Sequence, residues 1–180
     1  LLGLELSNLG IHADCAPVGD LRQAATHDAI GDRAFGYKPD TVIAMASAAL
    51  SGLAAGGVVG CLKHMPGQGR ATADSHYDLP RISETREQLE SDFDVFASLA
   101  SKALMGMTGH VSYDEIAPGE AATVSKTIIS EIIRSRIGFD GLLMTDDLGM
   151  NALGGSLADR GRRALDAGCD LLLHCAGFVK

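Results

Sequence analysis

The sequence predicts an α/β fold: a parallel sheet with helices on both faces, forming part of a (β/α)8 barrel of the TIM-barrel type. Three observations predict it. Short apolar runs alternate with helix-length segments along the chain. The runs are continuously apolar rather than alternating in polarity, as strands covered on both faces require. Polar residues collect where the runs end: Asp14 and Asp20, Lys63 and His64, His110, Asp146 and Asp147, and His174. In an open doubly wound sheet and in a closed barrel alike, ligands gather at the C-terminal strand ends. A closed barrel takes roughly 250 residues, so five strands in 180 residues read as part of one. No G-x-G-x-x-G opens a helix after the first strand, which weighs against a nucleotide-binding sheet.

Gly10 to Val18 reads as the first strand, ending in a loop. Asp40 to Ala55 is rich in Ala, with Asp40 as its expected N-cap. Gly57 to Leu62 is a second strand. Ser83 opens a capping-box-like Ser-Glu-Thr-Arg, and the helix after it runs to about Lys102 with Leu89, Phe93, Phe96, Leu99 and Ala100 on its apolar face. Ala103 to Gly109 is a third strand. Ser125 caps a helix carrying Ile128, Ile129, Ile132, Ile133 and Ile137, which Gly138 stops. Gly141 to Asp146 is a fourth strand, Leu157 to Ala167 a helix, and Cys169 to His174 a fifth strand.

Composition narrows the function classes. A net charge of −8 with no basic stripe argues against nucleic-acid binding. The most apolar stretch, residues 44–62, is broken by Ser47, Ser51 and four glycines, so no membrane span is expected. Leu1 and Leu2 have no basic region before them, and no signal peptide is read. The four cysteines, Cys15, Cys61, Cys169 and Cys175, have no zinc-ligand spacing and read as buried reduced thiols. A cytoplasmic location is the expectation.

The stretch Lys63–Pro80, KHMPGQGRATADSHYDLP, is far longer than an ordinary βα connection, and such loops are commonly functional. Asp74 and His76 are two apart, so in an extended segment both project to one side. The carboxylate can then hold one imidazole nitrogen and leave the other free for proton transfer. An Asx-turn with an exposed histidine is the plainer alternative, and Gly67 and Gly69 read as hinges. Asp146 ends an apolar strand, where a carboxylate needs partners or work. Capping the next helix is its ordinary role, and Asp147 fits that equally well. Arg33 either clamps an oxygen-rich ligand or pairs with Asp32. His12 and His27 read as structural or solvated, and the methionines as packing.

Together these stretches resemble the bacterial β-N-acetylhexosaminidases of glycoside hydrolase family 3, whose catalytic domain is a (β/α)8 barrel. The family pattern K-H-[FI]-P-G-H-G-x4-D-S-H-x3-P is similar to Lys63–Gly69, then Asp74-Ser75-His76 and Pro80. Its nucleophile motif G-[VIL]2-[FM]-[ST]-D-D-L-x-M is similar to Gly141–Met150. Family-like stretches also occur at Asp14–Val18 and Ile30–Arg33. The resemblance implies one partial catalytic barrel domain over residues 1–180, with Asp146 as nucleophile and His76 as acid/base oriented by Asp74. Arg33, Lys63 and His64 would hold the sugar. The implied reaction removes terminal β-linked N-acetylglucosamine with retention, on small carbohydrate or muropeptide substrates, without metal or cofactor, as in cell-wall recycling. Gln68 departs from the family's second loop His, and the family's early D-Q-E-G-G-type motif has no counterpart here. Two other readings remain open: a metal-dependent barrel hydrolase using His64, His110, His174 and Asp146, and a catalytically silent sugar-binding module.

Overall fold

The computed structural model describes residues 1–177. Five parallel strands form one sheet: β1 (Ala13–Asp14), β2 (Val59–Met65), β4 (Met105–Thr108), β6 (Leu142–Asp147) and β7 (Leu171–Leu173), in that spatial order. A side ladder pairs β3 (Arg81–Ile82) with β5 (Ser112–Tyr113); sequence reading did not assign it. Strand order follows chain order and never reverses, so the sheet has no switch point of the doubly wound kind. The result is a parallel, curled α/β half-barrel with every polar strand end of interest on one rim.

The helices follow from local chemistry. A short α1 (Leu2–Asn8), not foreseen from sequence, leads into β1. Pro39 opens α2 (Pro39–Ala55), since its fixed φ suits the first helical position. Asp40 therefore sits in the first turn rather than at the cap, where its charge still favours the helix dipole. Val42, Ala46, Leu50 and Leu53 bury one face of α2. The capping box of α3 (Arg86–Ala100) is built on Thr85 and Gln88 rather than Ser83. Thr85 Oγ1 accepts the Gln88 N–H at 3.4 Å, and Gln88 Oε1 accepts the Thr85 N–H at 2.9 Å. That spacing is the reciprocal one that Ser83 cannot reach. The helix Ile128–Arg136 is wound with π geometry, and Ser125 Oγ accepts the Ile128 N–H at 3.5 Å. For α4 (Leu157–Ala167), Ser156 accepts the Asp159 N–H and Gly168 supplies the left-handed cap.

One core lies between the sheet and its helices, with Leu62, Met65 and Leu143 packed under Phe93, Phe96, Phe139 and the isoleucines of the π helix. A smaller cluster on the concave side joins Cys61, Met107 and Met144, flanked by Met105 and Leu173. Met65, Met105, Met107 and Met144 are packing, as expected. All four cysteines are free, but only Cys61 and Cys169 are buried. Cys15, just after the edge strand β1, and Cys175, just after β7 at the other edge of the sheet, are exposed. Burial pushes the Cys61 and Cys169 thiols up to about 12, which keeps them protonated and unreactive. Among the described residues, no helix is long and apolar enough to cross a membrane.

Candidate active site

Two register irregularities build the rim. Between β2 and β4 the pairing runs Lys63↔Met107, then Met65↔Thr108, leaving His64 as an extra residue. Between β6 and β7 it shifts between Met144 and Asp147. In an unbroken strand, successive side chains face opposite sides. At these bulges they do not: Lys63 and His64 both line one cavity, and so do Asp146 and Asp147. The cavity, of about 240 Å³, is completed by Arg33, Gln68, Ser75, His76, Met150 and Cys175, among others. Five of the six residues expected to act therefore meet in one place. The sixth, Asp74, is bonded to His76.

The Lys63–Pro80 stretch begins inside β2, which runs three residues further than the sequence suggested. Its start is fixed from below by Asp20, which is fully buried. Asp20 Oδ2 lies 2.7 Å from His64 Nδ1, and Oδ1 accepts the N–H groups of Gln68 at 2.7 Å and His64 at 3.3 Å. A buried carboxylate needs partners of this kind, and with Nδ1 so engaged the His64 ring presents Nε2. Sequence reading gave Asp20 a place at a strand end but no role. The available signal was a second aspartate directly after Val18-Gly19 in the same run. Gly69 is not a hinge: a Cβ there would collide with the Leu21 carbonyl, so the glycine permits a close backbone approach. Gly67 likewise lies against Asp92 and accepts the Tyr113 hydroxyl on its carbonyl at 2.5 Å.

Asp74 and His76 meet through a turn, not through an extended segment. Asp74 Oδ1 accepts the His76 N–H at 2.9 Å and lies 2.7 Å from His76 Nδ1, while the Tyr77 N–H returns to the Asp74 carbonyl. The Asx-turn and the proton-transfer geometry are thus one arrangement rather than alternatives. The His76 backbone N–H, aided by its ring, holds the Asp74 carboxyl below its ordinary value. The His76 side chain stays 64% exposed, so Nε2 is accessible. The turn is also tied to the segment after β6, because Asn151 and Ala152 donate to the carbonyls of His76 and Ser75. That contact carries the histidine towards Asp146.

The two strand-end aspartates divide. Asp147 Oδ1 accepts the N–H groups of Gly149 and Cys175 and lies 3.5 Å from His174 Nδ1. Partial burial pushes its carboxyl up, but these donors outweigh burial and leave it below the ordinary value. Asp146 accepts only its neighbour's N–H on Oδ1 at 2.8 Å, and its other oxygen makes no hydrogen bond among the described residues. Neither caps α4, which Ser156 does. Arg33 does not pair with Asp32; its guanidinium donates to the Ala29 carbonyl at the cavity wall. His27 Nδ1 accepts the Ala29 N–H, and His12 is exposed, consistent with structural or solvated roles.

Both ring nitrogens of His110 are engaged. His110 is buried, with Nδ1 2.7 Å from Thr123 Oγ1 and Nε2 2.9 Å from the Asp147 carbonyl. Burial lowers its pKa against the opposing pull of Asp146. Among the described residues, no group of three His, Cys, Asp or Glu side chains is disposed to hold a metal ion.

Comparison with known proteins decides the family. The model of the glycosyl hydrolase family 3 N-terminal domain matches residues 1–180. The chain belongs to glycosyl hydrolase family 3. It is 40% identical over 179 residues to a beta-hexosaminidase of Alkalilimnicola ehrlichii, covering 97% of this chain and 51% of that protein. A beta-hexosaminidase of Chromobacterium violaceum is 41% identical over 181 residues, covering 97% and 50%. Among solved structures, a family 3 beta-N-acetylglucosaminidase from Paenibacillus sp. superposes with a TM-score of 0.92 at 32% identity, over 96% of this chain and 34% of that one. Native NagZ from Neisseria gonorrhoeae gives 0.88 at 36% identity, over 97% and 51%. The chain spans about half the length of the curated relatives it matches.

Proposed function

We propose that residues 1–180 are part of a family 3 catalytic (β/α)8 barrel domain, and that the protein is a retaining β-N-acetylhexosaminidase. It releases terminal β-linked N-acetylglucosamine from small carbohydrates or muropeptides, in the cytoplasm during cell-wall recycling. The observation that carries the reading is the cavity that joins Asp146 to the Asp74–His76 pair, with Arg33, Lys63 and His64 on its walls. The beta-hexosaminidase relatives and the Paenibacillus beta-N-acetylglucosaminidase support the choice of sugar.

In this mechanism the unengaged oxygen of Asp146 attacks the anomeric carbon and the glycosidic bond breaks. His76 Nε2 gives its proton to the departing oxygen, while Asp74 holds Nδ1–H and stabilises the ring as its charge changes. The same imidazole then takes a proton from water, which displaces the carboxylate from the glycosyl–enzyme. Asp74 is suited to this because its depressed pKa keeps it ionised through the neutral range. Arg33 and Lys63 provide donors for sugar hydroxyls, and His64 presents Nε2 because Asp20 takes Nδ1. The metal-hydrolase reading finds both ring nitrogens of His110 already committed to protein partners.

The test is substitution of the nucleophile. Asp146→Asn removes turnover of aryl N-acetylglucosaminides by at least about 10³-fold with the melting temperature little changed. Wild-type turnover in a folded Asp146→Asn protein would move the nucleophile elsewhere.

A further inference from the structure

The acid/base pair sits on a turn whose middle residue, Ser75, is 3% exposed and bonded from two sides. Its carbonyl accepts the Ala152 N–H at 3.2 Å, and its hydroxyl accepts Gln68 Nε2 at 3.4 Å. Gln68 is itself only 4% exposed, and its backbone N–H is held by buried Asp20. Its other amide atom, Oε1, is buried with no hydrogen-bond partner. A buried acceptor without a partner is unfavourable, so packing alone does not explain an amide here. The space it uses exists because residue 109 is glycine: a Cβ there would lie 2.9 Å from Oε1.

We propose that Gln68 is a positioning residue for the acid/base: its amide holds Ser75, and through Ser75 sets where the Asp74–His76 turn stands over the cavity. The inference rests on the reading of His76 as acid/base. It links the two halves of the site through one buried chain. Asp20 fixes His64 with one oxygen and the backbone of Gln68 with the other, and the Gln68 side chain reaches the turn that bears His76. The Gln68–Ser75 contact is long, so it acts as a guide for the turn rather than a rigid clamp.

The test compares substrates in the full chain. Gln68→Met keeps the bulk and removes the amide; Ser75→Ala removes the other partner. Each is assayed by kcat/KM on an unactivated N-acetylglucosamine disaccharide and on a dinitrophenyl N-acetylglucosaminide, whose leaving group needs no proton. A misplaced acid slows only the first, so each variant loses about tenfold or more on the disaccharide and less than about twofold on the aryl glycoside. The double variant loses no more than the worse single one, because both changes break the same contact. Equal loss on both substrates, no loss, or additive losses would overturn the positioning role. His76→Ala is the control: selective loss there without it in Gln68→Met and Ser75→Ala defeats the Gln68 proposal alone. Absence of selectivity in His76→Ala itself defeats the acid/base reading beneath it.

Discussion

An aspartate two residues before an exposed histidine is an ordinary turn in most proteins. Here its ring partner is fixed, its backbone is tied to the segment following Asp146, and it opens on a cavity lined by Arg33 and Lys63. The charge state of the aspartates gives a pH prediction. Asp147 has a folded pKa below its ordinary value, so it favours the fold above about pH 4. That contribution is lost as the pH falls through the depressed value. Asp147→Asn should therefore melt below wild type at neutral pH, with the gap closing as the pH is lowered from about 7 to about 2.5. Thermal melts across that range check it; a gap constant with pH would contradict the role given to its donors. At this scale the sequence singled out residues that the structure brings together but misjudged their geometry. Asp74 and His76 were legible as a pair, yet an extended segment was the wrong reason. Asp20 went unassigned because its importance comes from burial against His64, more than forty residues away, which no local pattern encodes.

At the scale of elements, bulges decide what strand alternation cannot. The period of two assigns Lys63 and His64, and likewise Asp146 and Asp147, to opposite faces; the register shifts bring each pair into one cavity. Strand and helix identity were legible from apolar runs and caps, and Leu157–Ala167 was read with its observed ends. The missed elements, α1, β3 and β5, are short, and two-residue strands leave no periodicity to read. The long loop is also anchored to α3: Arg70 Nε donates to buried Asp92 at 2.7 Å, and burial raises the Asp92 pKa against the pull of that cation. Arg70→Ala would strand the carboxylate and should lower stability by about 3 kcal/mol. Adding Asp92→Asn removes the buried charge and should recover part of that loss. Denaturant unfolding of the single and double variants decides, and a double variant no more stable than Arg70→Ala would place the loss in packing.

For the whole molecule, the legible features were those set by composition and order: apolar runs on a covered sheet, helices between them, polar residues where runs end. The sheet's strand order follows from βα alternation, and the family from the motifs at Lys63–Pro80 and Gly141–Met150. What the sequence could not supply was the convergence of Arg33, the β2 end, the loop turn and the β6 end, because that depends on how far the sheet curls. The half-barrel draws four separate segments to one rim, and the chemistry proposed for it requires all four.

That chemistry turns on Asp146 forming a bond to the sugar. Incubating the protein with a fluorinated N-acetylglucosaminyl trapping reagent, then digesting it and sequencing the peptides by mass spectrometry, tests this directly. The account predicts a single glycosyl adduct on the peptide containing Asp146, absent in Asp146→Asn. An adduct on a different residue, or full turnover of N-acetylglucosaminides by a protein that never acquires one, would contradict it.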